Sequence, residues 1–245
     1  MKPDFSQRLT DIRHFYDLIE QLEAKCGAKR LLTDCHGKMH WPKRGVYFFF
    51  EAGEVRTTSG NGLRVVRVGT HSIDKLDNQQ TLWDRLRTHR GPLTGKYANG
   101  GNHRASVFRK HVGYALIARD SRTEMVKNWG QGNSAPEIIR QNEHPIEVAV
   151  SEHIRVMPFL WLPINDDPGP DSLRNYIERN TIAMISNYPR SESRIDEPSE
   201  NWLGIWAKSG YVQCSGMWNV EHVDENYDTN FLTVFADLIH DCECE

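Results

Sequence analysis

Residues 45–69 read GVYFFFEAGEVRTTSGNGLRVVRVG. The run 45–50 is apolar and aromatic throughout, which predicts a strand buried on both faces. Residues 51–62 are rich in turn formers and read as a hairpin connection. Residues 63–69 read as the partner strand. Upstream, Phe5, Leu9, Ile12, Phe15, Tyr16, Ile19 and Leu22 recur at three- and four-residue steps, so 4–26 is expected to be a helix packed at the edge of the core. Downstream, Thr81 and Asp84 have the spacing of a capping box, and Gly91-Pro92 ends the helix they start. Residues 91–105 read as loop, 106–118 as helix or strand, 120–136 as a polar connection and 147–153 as helix. The run VMPFLWLPI, 156–164, reads as a central strand. Ser172 is a good cap for a helix reaching about Ser186, with Pro189 beyond its end. In the remainder, GYVQCSGMWNV, 210–220, has strand character, and 231–239 reads as helix.

The order strand, strand, helix, insertion, strand, helix, tail predicts an α+β fold with a small antiparallel three-stranded sheet flanked by helices. Three units follow: a helical segment at 1–44 packing on the core, a core domain at 45–190 with an insertion at about 91–150, and an acidic elaboration at 191–245. The chain has 245 residues, enough for a sizeable core. No apolar run approaches bilayer length, and no signal-peptide pattern opens the chain. Five cysteines with no CxxC pair read as reduced thiols, and together these features lead to a cytoplasmic expectation.

The net charge of −3 argues against a polyanion partner, but the average hides a segregation. Residues 81–122 carry nine Lys/Arg against two Asp/Glu, while 191–245 carry two against twelve. Concentrated positive charge binds a polyanion locally whatever the total.

Two helices carry candidate chemistry. On the first, Arg85 and His89 are four apart and share a face, while Leu82 and Leu86 pack inward. A guanidinium grips phosphate oxygens in a fork, and an imidazole moves protons near neutral pH. On the second, Glu178 shares a face with Ile182 and Ile185. A carboxylate there needs a cation, a metal or a hydrogen bond. Pairing with Arg174 or Arg179 would satisfy it without any function.

Taken in order, Gly45-Val46-Tyr47, Val68-Gly69, Leu82-Trp83-Asp84-Arg85-Leu86 with His89, and Glu178-Arg179-Asn180-Thr181-Ile182 resemble the GIY-YIG nuclease family. The resemblance covers roughly 45–90 and 155–190 and is closest to elaborated, restriction-type members. Arg67 stands where the family has its second tyrosine, the spacing between the strand motifs is long, and Asn187 represents the closing asparagine of the Glu segment.

The resemblance implies a DNA endonuclease with Tyr47, Arg67, Arg85, His89, Glu178 and Asn187 in its site. Glu178 would hold Mg²⁺ or Mn²⁺, and Arg85 would neutralise charge on the phosphate. An ordinary phenol is a weak base at neutral pH, so Tyr47 facing the attacking water needs Arg67 or Arg85 beside it, with His89 as the other proton carrier. Within the insertion, Asn102, His103, Arg104, Arg109 and Lys110 offer donors for phosphates and base edges of double-stranded DNA. Such an elaboration suits a restriction or phage-defence enzyme, and a homodimer would bring two sites to two strands. The alternative is an inactive nucleic-acid-binding module of the same fold, suggested by Arg67.

Overall fold

The computed structural model describes residues 4–71, 80–122, 126–169, 171–190 and 193–243. Strand β2 (Gly45–Val55) runs antiparallel to β3 (Leu63–Gly69), with Tyr47 opposite Gly69 and Phe49 opposite Arg67. The other edge of β2 pairs antiparallel with β4 (Pro158–Pro163), which places Trp161 opposite Tyr47. A two-residue strand, β1 (Arg30–Leu31), completes the order β1-β4-β2-β3. The sheet therefore has four strands rather than three. Two residues are too few to show any period in sequence.

Side-chain alternation sends the two faces of β2 into separate cores. Val46, Phe48 and Phe50 pack with helices α1 (Phe5–Cys26), α5 (Leu173–Ile185) and α7 (Phe231–Asp241). Tyr47 and Phe49 pack with α2 (Leu82–Arg90), α3 (Val107–Arg119) and α4 (Glu137–Arg155). Burial on both faces explains the unbroken apolar run at 45–50.

Helix α2 starts as its sequence predicts. Asp84 N donates to Thr81 Oγ1 at 3.2 Å, and Thr81 N donates back to Asp84 Oδ2 at 2.9 Å. Residues 106–118, open between helix and strand, form α3. Helix α4 extends well beyond the expected 147–153 and contains Pro145, a residue that in sequence reads as a breaker. Its inward stripe of Glu143, Ile146, Glu147, Val150 and Ile154 holds it against the second core.

The C-terminal segment corrects two expectations. Residues 210–220 do not form a strand: Gly210–Ser215 is a short helix, α6, and only the next few residues run beside β3. There Trp218 N donates to Val66 O at 2.7 Å, and the Asn219 side-chain amide brackets Val68, accepting from its N–H at 3.1 Å and donating to its carbonyl at 3.0 Å. Asp196 also caps the β2–β3 hairpin, its Oδ1 accepting from the N–H groups of Thr57, Thr58 and Ser59. Cys26 is disulfide-bonded rather than reduced, whereas Cys35 and Cys214 are free. Cys244 lies outside the described residues. No described helix is long and apolar enough to cross a membrane.

Candidate active site

Strand β3, helix α2 and helix α5 converge on a cleft of about 340 Å³. β3 contributes Arg67, α2 contributes Arg85, and α5 contributes Glu178. The segment beside β3 adds Asn219, Glu221 and His222. A larger cavity of about 660 Å³ lies between Trp41, Trp161 and Asp241 and holds none of these residues.

Glu178 is half-buried, and its carboxylate makes no hydrogen bond or ion pair with a described residue. The two arginines that might have paired with it are committed elsewhere. Arg174 binds Asp166 and the His71 carbonyl, and Arg179 binds Glu225. Burial raises the Glu178 carboxyl above its usual range, against the opposing pull of Arg67, His222 and Arg85. Arg67 donates through Nη1 to Trp218 O at 3.0 Å, but its Nε and that of Arg85 are buried without a partner among the described residues. Among the described residues the cleft therefore presents two carboxylates without partners, the half-buried Glu178 and the exposed Glu221, and two guanidinium groups with unused donors.

Against this cleft lies a buried pair. Tyr47 Oη is 2.8 Å from His89 Nε2, and His89 Nδ1 is 2.9 Å from Ser106 Oγ. Burial, then Arg85, Arg67 and Arg109, drive the His89 pKa well below its usual value, so the ring is neutral. Gly69 faces the Tyr47 ring, and a Cβ there would sit 2.3 Å from its hydroxyl. With no side chain at 69, the hydroxyl lies against bare backbone between Arg67 and Thr70, both of which line the cleft.

The GIY-YIG domain family matches residues 6–245.

This chain belongs to the GIY-YIG family.

Searches of curated proteins and of solved structures found no match to it. The family is a nuclease-type fold, and GIY-YIG nucleases act on DNA. The match takes in the C-terminal segment, and with it three cleft residues that sequence reading missed. Asn219, Glu221 and His222 sit inside a long acidic stretch, where the only local signal was an Asn and a His three residues apart beside Trp218.

Several expected residues have other duties in this GIY-YIG chain. Asn187 lies outside the cleft: its amide donates to Ile195 O at 3.0 Å and accepts from Ile195 N at 2.9 Å, closing the loop after α5. Asn102 caps the short turn at His103–Ala105. His103 is buried, 2.9 Å from Glu147 through Nδ1, and stacks on Trp129. Arg104 makes a bidentate pair with Glu143 at 2.6 and 2.8 Å. Arg109 is wholly buried, bonded to Glu147 and to the His89 carbonyl. These four side chains make the contacts within the protein that hold the insertion together. Lys110 differs. It has no ion pair among the described residues and lines a second pocket that shares Arg85 and Val107 with the cleft.

Proposed function

We propose that this chain is a divalent-metal-dependent endonuclease that hydrolyses phosphodiester bonds of double-stranded DNA, of restriction or phage-defence type. The observation that carries the reading is the unpartnered Glu178 carboxylate in a cleft it shares with Arg67 and Arg85.

The donor set fits a hard divalent ion. Among the described residues no three His, Cys, Asp or Glu converge to make a closed protein cage. One carboxylate, with water and substrate phosphate completing the shell, is the usual arrangement for Mg²⁺. Glu178 would hold Mg²⁺ or Mn²⁺, which when bound polarises the phosphoryl oxygen and stabilises the leaving oxygen. Arg85 and Arg67 bind the phosphate and neutralise charge that grows on it in the transition state. Tyr47 orients the attacking water, and His89 Nε2, 2.8 Å from the phenol oxygen, holds that hydroxyl in place. Arg67 takes the second tyrosine's place with a cation that lines the cleft.

The insertion supports the restriction-type reading, since it packs a built, ion-paired structure against one end of the cleft. Cleavage of both strands by a homodimer belongs to the same reading.

Supercoiled plasmid incubated with the protein in Mg²⁺, Mn²⁺ or EDTA, beside Glu178→Ala, tests it. Nicking or linearisation that requires both metal and Glu178 is the expected result. DNA binding without cleavage in either metal, across unmodified and phage-modified DNA, would leave the inactive binding module instead.

A further inference from the structure

We propose that His222 is a second protein ligand, through Nε2, for the divalent ion held by Glu178. The inference rests on the reading of Glu178 as a metal carboxylate and adds a nitrogen donor to it.

His222 comes from the segment that passes β3 and lines the same cleft as Glu178. Its Nδ1 is 2.7 Å from Glu225 Oε1. An ionised carboxylate only accepts, so Nδ1 carries the hydrogen and Nε2 is left to act on the cleft. Nε2 makes no hydrogen bond with a described residue. Glu225 is fixed in turn by Arg179, which binds its other oxygen. Arg179 follows Glu178 directly on α5. One turn of helix thus carries the proposed metal carboxylate and anchors the group that orients the histidine.

This is the usual second layer of a metal-binding histidine, which donates its other ring N–H to a carboxylate that fixes tautomer and orientation. The backbone agrees. His222 has φ 64°, a left-handed conformation that non-glycine residues adopt rarely and that collects at functional sites.

A mixed carboxylate–imidazole set has a chemical consequence. Oxygen-only sites suit Mg²⁺, whereas an imidazole nitrogen strengthens binding of transition ions along the Irving–Williams order. Mn²⁺ should therefore bind more tightly than Mg²⁺ at this site, before any DNA is present.

The test uses the full chain with Mn²⁺ alone. Electron spin echo modulation reads directly bound ¹⁴N, and titration of the free-ion signal reads affinity. The variant is His222→Asn, because asparagine tolerates the left-handed backbone and circular dichroism can confirm the fold. Wild type is expected to show imidazole nitrogen on Mn²⁺. His222→Asn should lose that signal and weaken Mn²⁺ binding on the order of 10-fold or more, with Mg²⁺ binding within about twofold of wild type. Glu225→Gln should weaken Mn²⁺ on the order of 10-fold. No nitrogen signal in wild type, or unchanged Mn²⁺ affinity in His222→Asn, overturns the proposal. If Glu178→Gln abolishes binding in that case, the carboxylate reading stands alone. Undiminished Mn²⁺ binding by Glu178→Gln would overturn the carboxylate reading and the shared site together.

Discussion

Tyr47 Oη and His89 Nε2 lie 2.8 Å apart with both side chains completely buried. Because burial keeps His89 neutral, one ring nitrogen donates and the other accepts. Nε2 pairs with the phenol and Nδ1 with Ser106 Oγ, which also caps α3 by accepting from Arg109 N. The pair fixes the orientation of the Tyr47 hydroxyl. Tyr47→Phe keeps the ring but leaves Nε2 buried without a partner, at a cost of ~1–3 kcal/mol. Loss of the hydroxyl that orients the attacking water should lower single-turnover cleavage by roughly 100-fold or more. Near wild-type cleavage by this variant would remove the pair from the chemistry and leave it a structural contact.

The same pair sets a steric limit at Gly69. An added Cβ would meet Tyr47 Oη at 2.3 Å and ring carbon Cζ at 2.4 Å. The ring is enclosed by Phe49 and His89 and has no room to retreat. Gly69→Ala is therefore expected to destabilise the fold by ~1–3 kcal/mol, as overpacking does. It should also pull Tyr47 from His89, so cleavage falls further than stability alone explains. Thermal unfolding and cleavage measured on one preparation separate the two effects. A variant with normal melting and normal activity would show that β3 shifts to accept the methyl.

Glu178 predicts a pH-dependent penalty in the metal-free protein. Its folded-state pKa is raised above the ordinary 4.5, with burial the largest cause. Below that ordinary value the carboxyl is protonated in both folded and unfolded states and costs nothing. As pH climbs, the unfolded chain ionises first, so stability is lost until pH passes the raised folded value, and the full penalty holds above it. Gln cannot ionise. In EDTA, Glu178→Gln should melt higher than wild type at about pH 8, with the difference vanishing near about pH 4. Added Mn²⁺ should reverse the order by stabilising wild type alone. A wild type that melts as high as Glu178→Gln at alkaline pH in EDTA would contradict an uncompensated carboxylate.

The parts of the site carried on long periodic elements were legible in sequence. Arg85 could be placed because Thr81, Asp84, Leu82 and Leu86 fix both the start and the inner face of α2. Glu178 was legible for the same reason, since Ser172 marks the start of α5. Arg109 was misread because a cation in a Gly/Asn/His-rich stretch looks solvated, and its partner Glu147 lies 38 residues away on another helix. His222 and Asn219 were invisible because no repeat marks them. They reach the cleft only because the chain returns along β3, held by two backbone-like bonds from an asparagine side chain. Tertiary pairing of that kind leaves no local pattern.

The contrast between Lys110 and Arg109 gives a prediction about DNA binding. The two are adjacent on α3, yet Arg109 is wholly buried against Glu147 and Lys110 faces the pocket beside Arg85. Lys110→Ala should leave thermal stability within about 0.5 kcal/mol of wild type. It should weaken DNA binding and flatten the plot of log affinity against log salt by ~0.9, the loss of one phosphate contact. Arg109→Ala removes the partner of a buried carboxylate and should cost ~3–5 kcal/mol. Where the folded fraction still binds DNA, its salt slope should match wild type. Binding measured in EDTA across a salt series, so that no DNA is cut, reads both variants. An unchanged slope in Lys110→Ala would take the second pocket out of the DNA path. A reduced slope in folded Arg109→Ala would mean that the Glu147 pair opens when DNA binds.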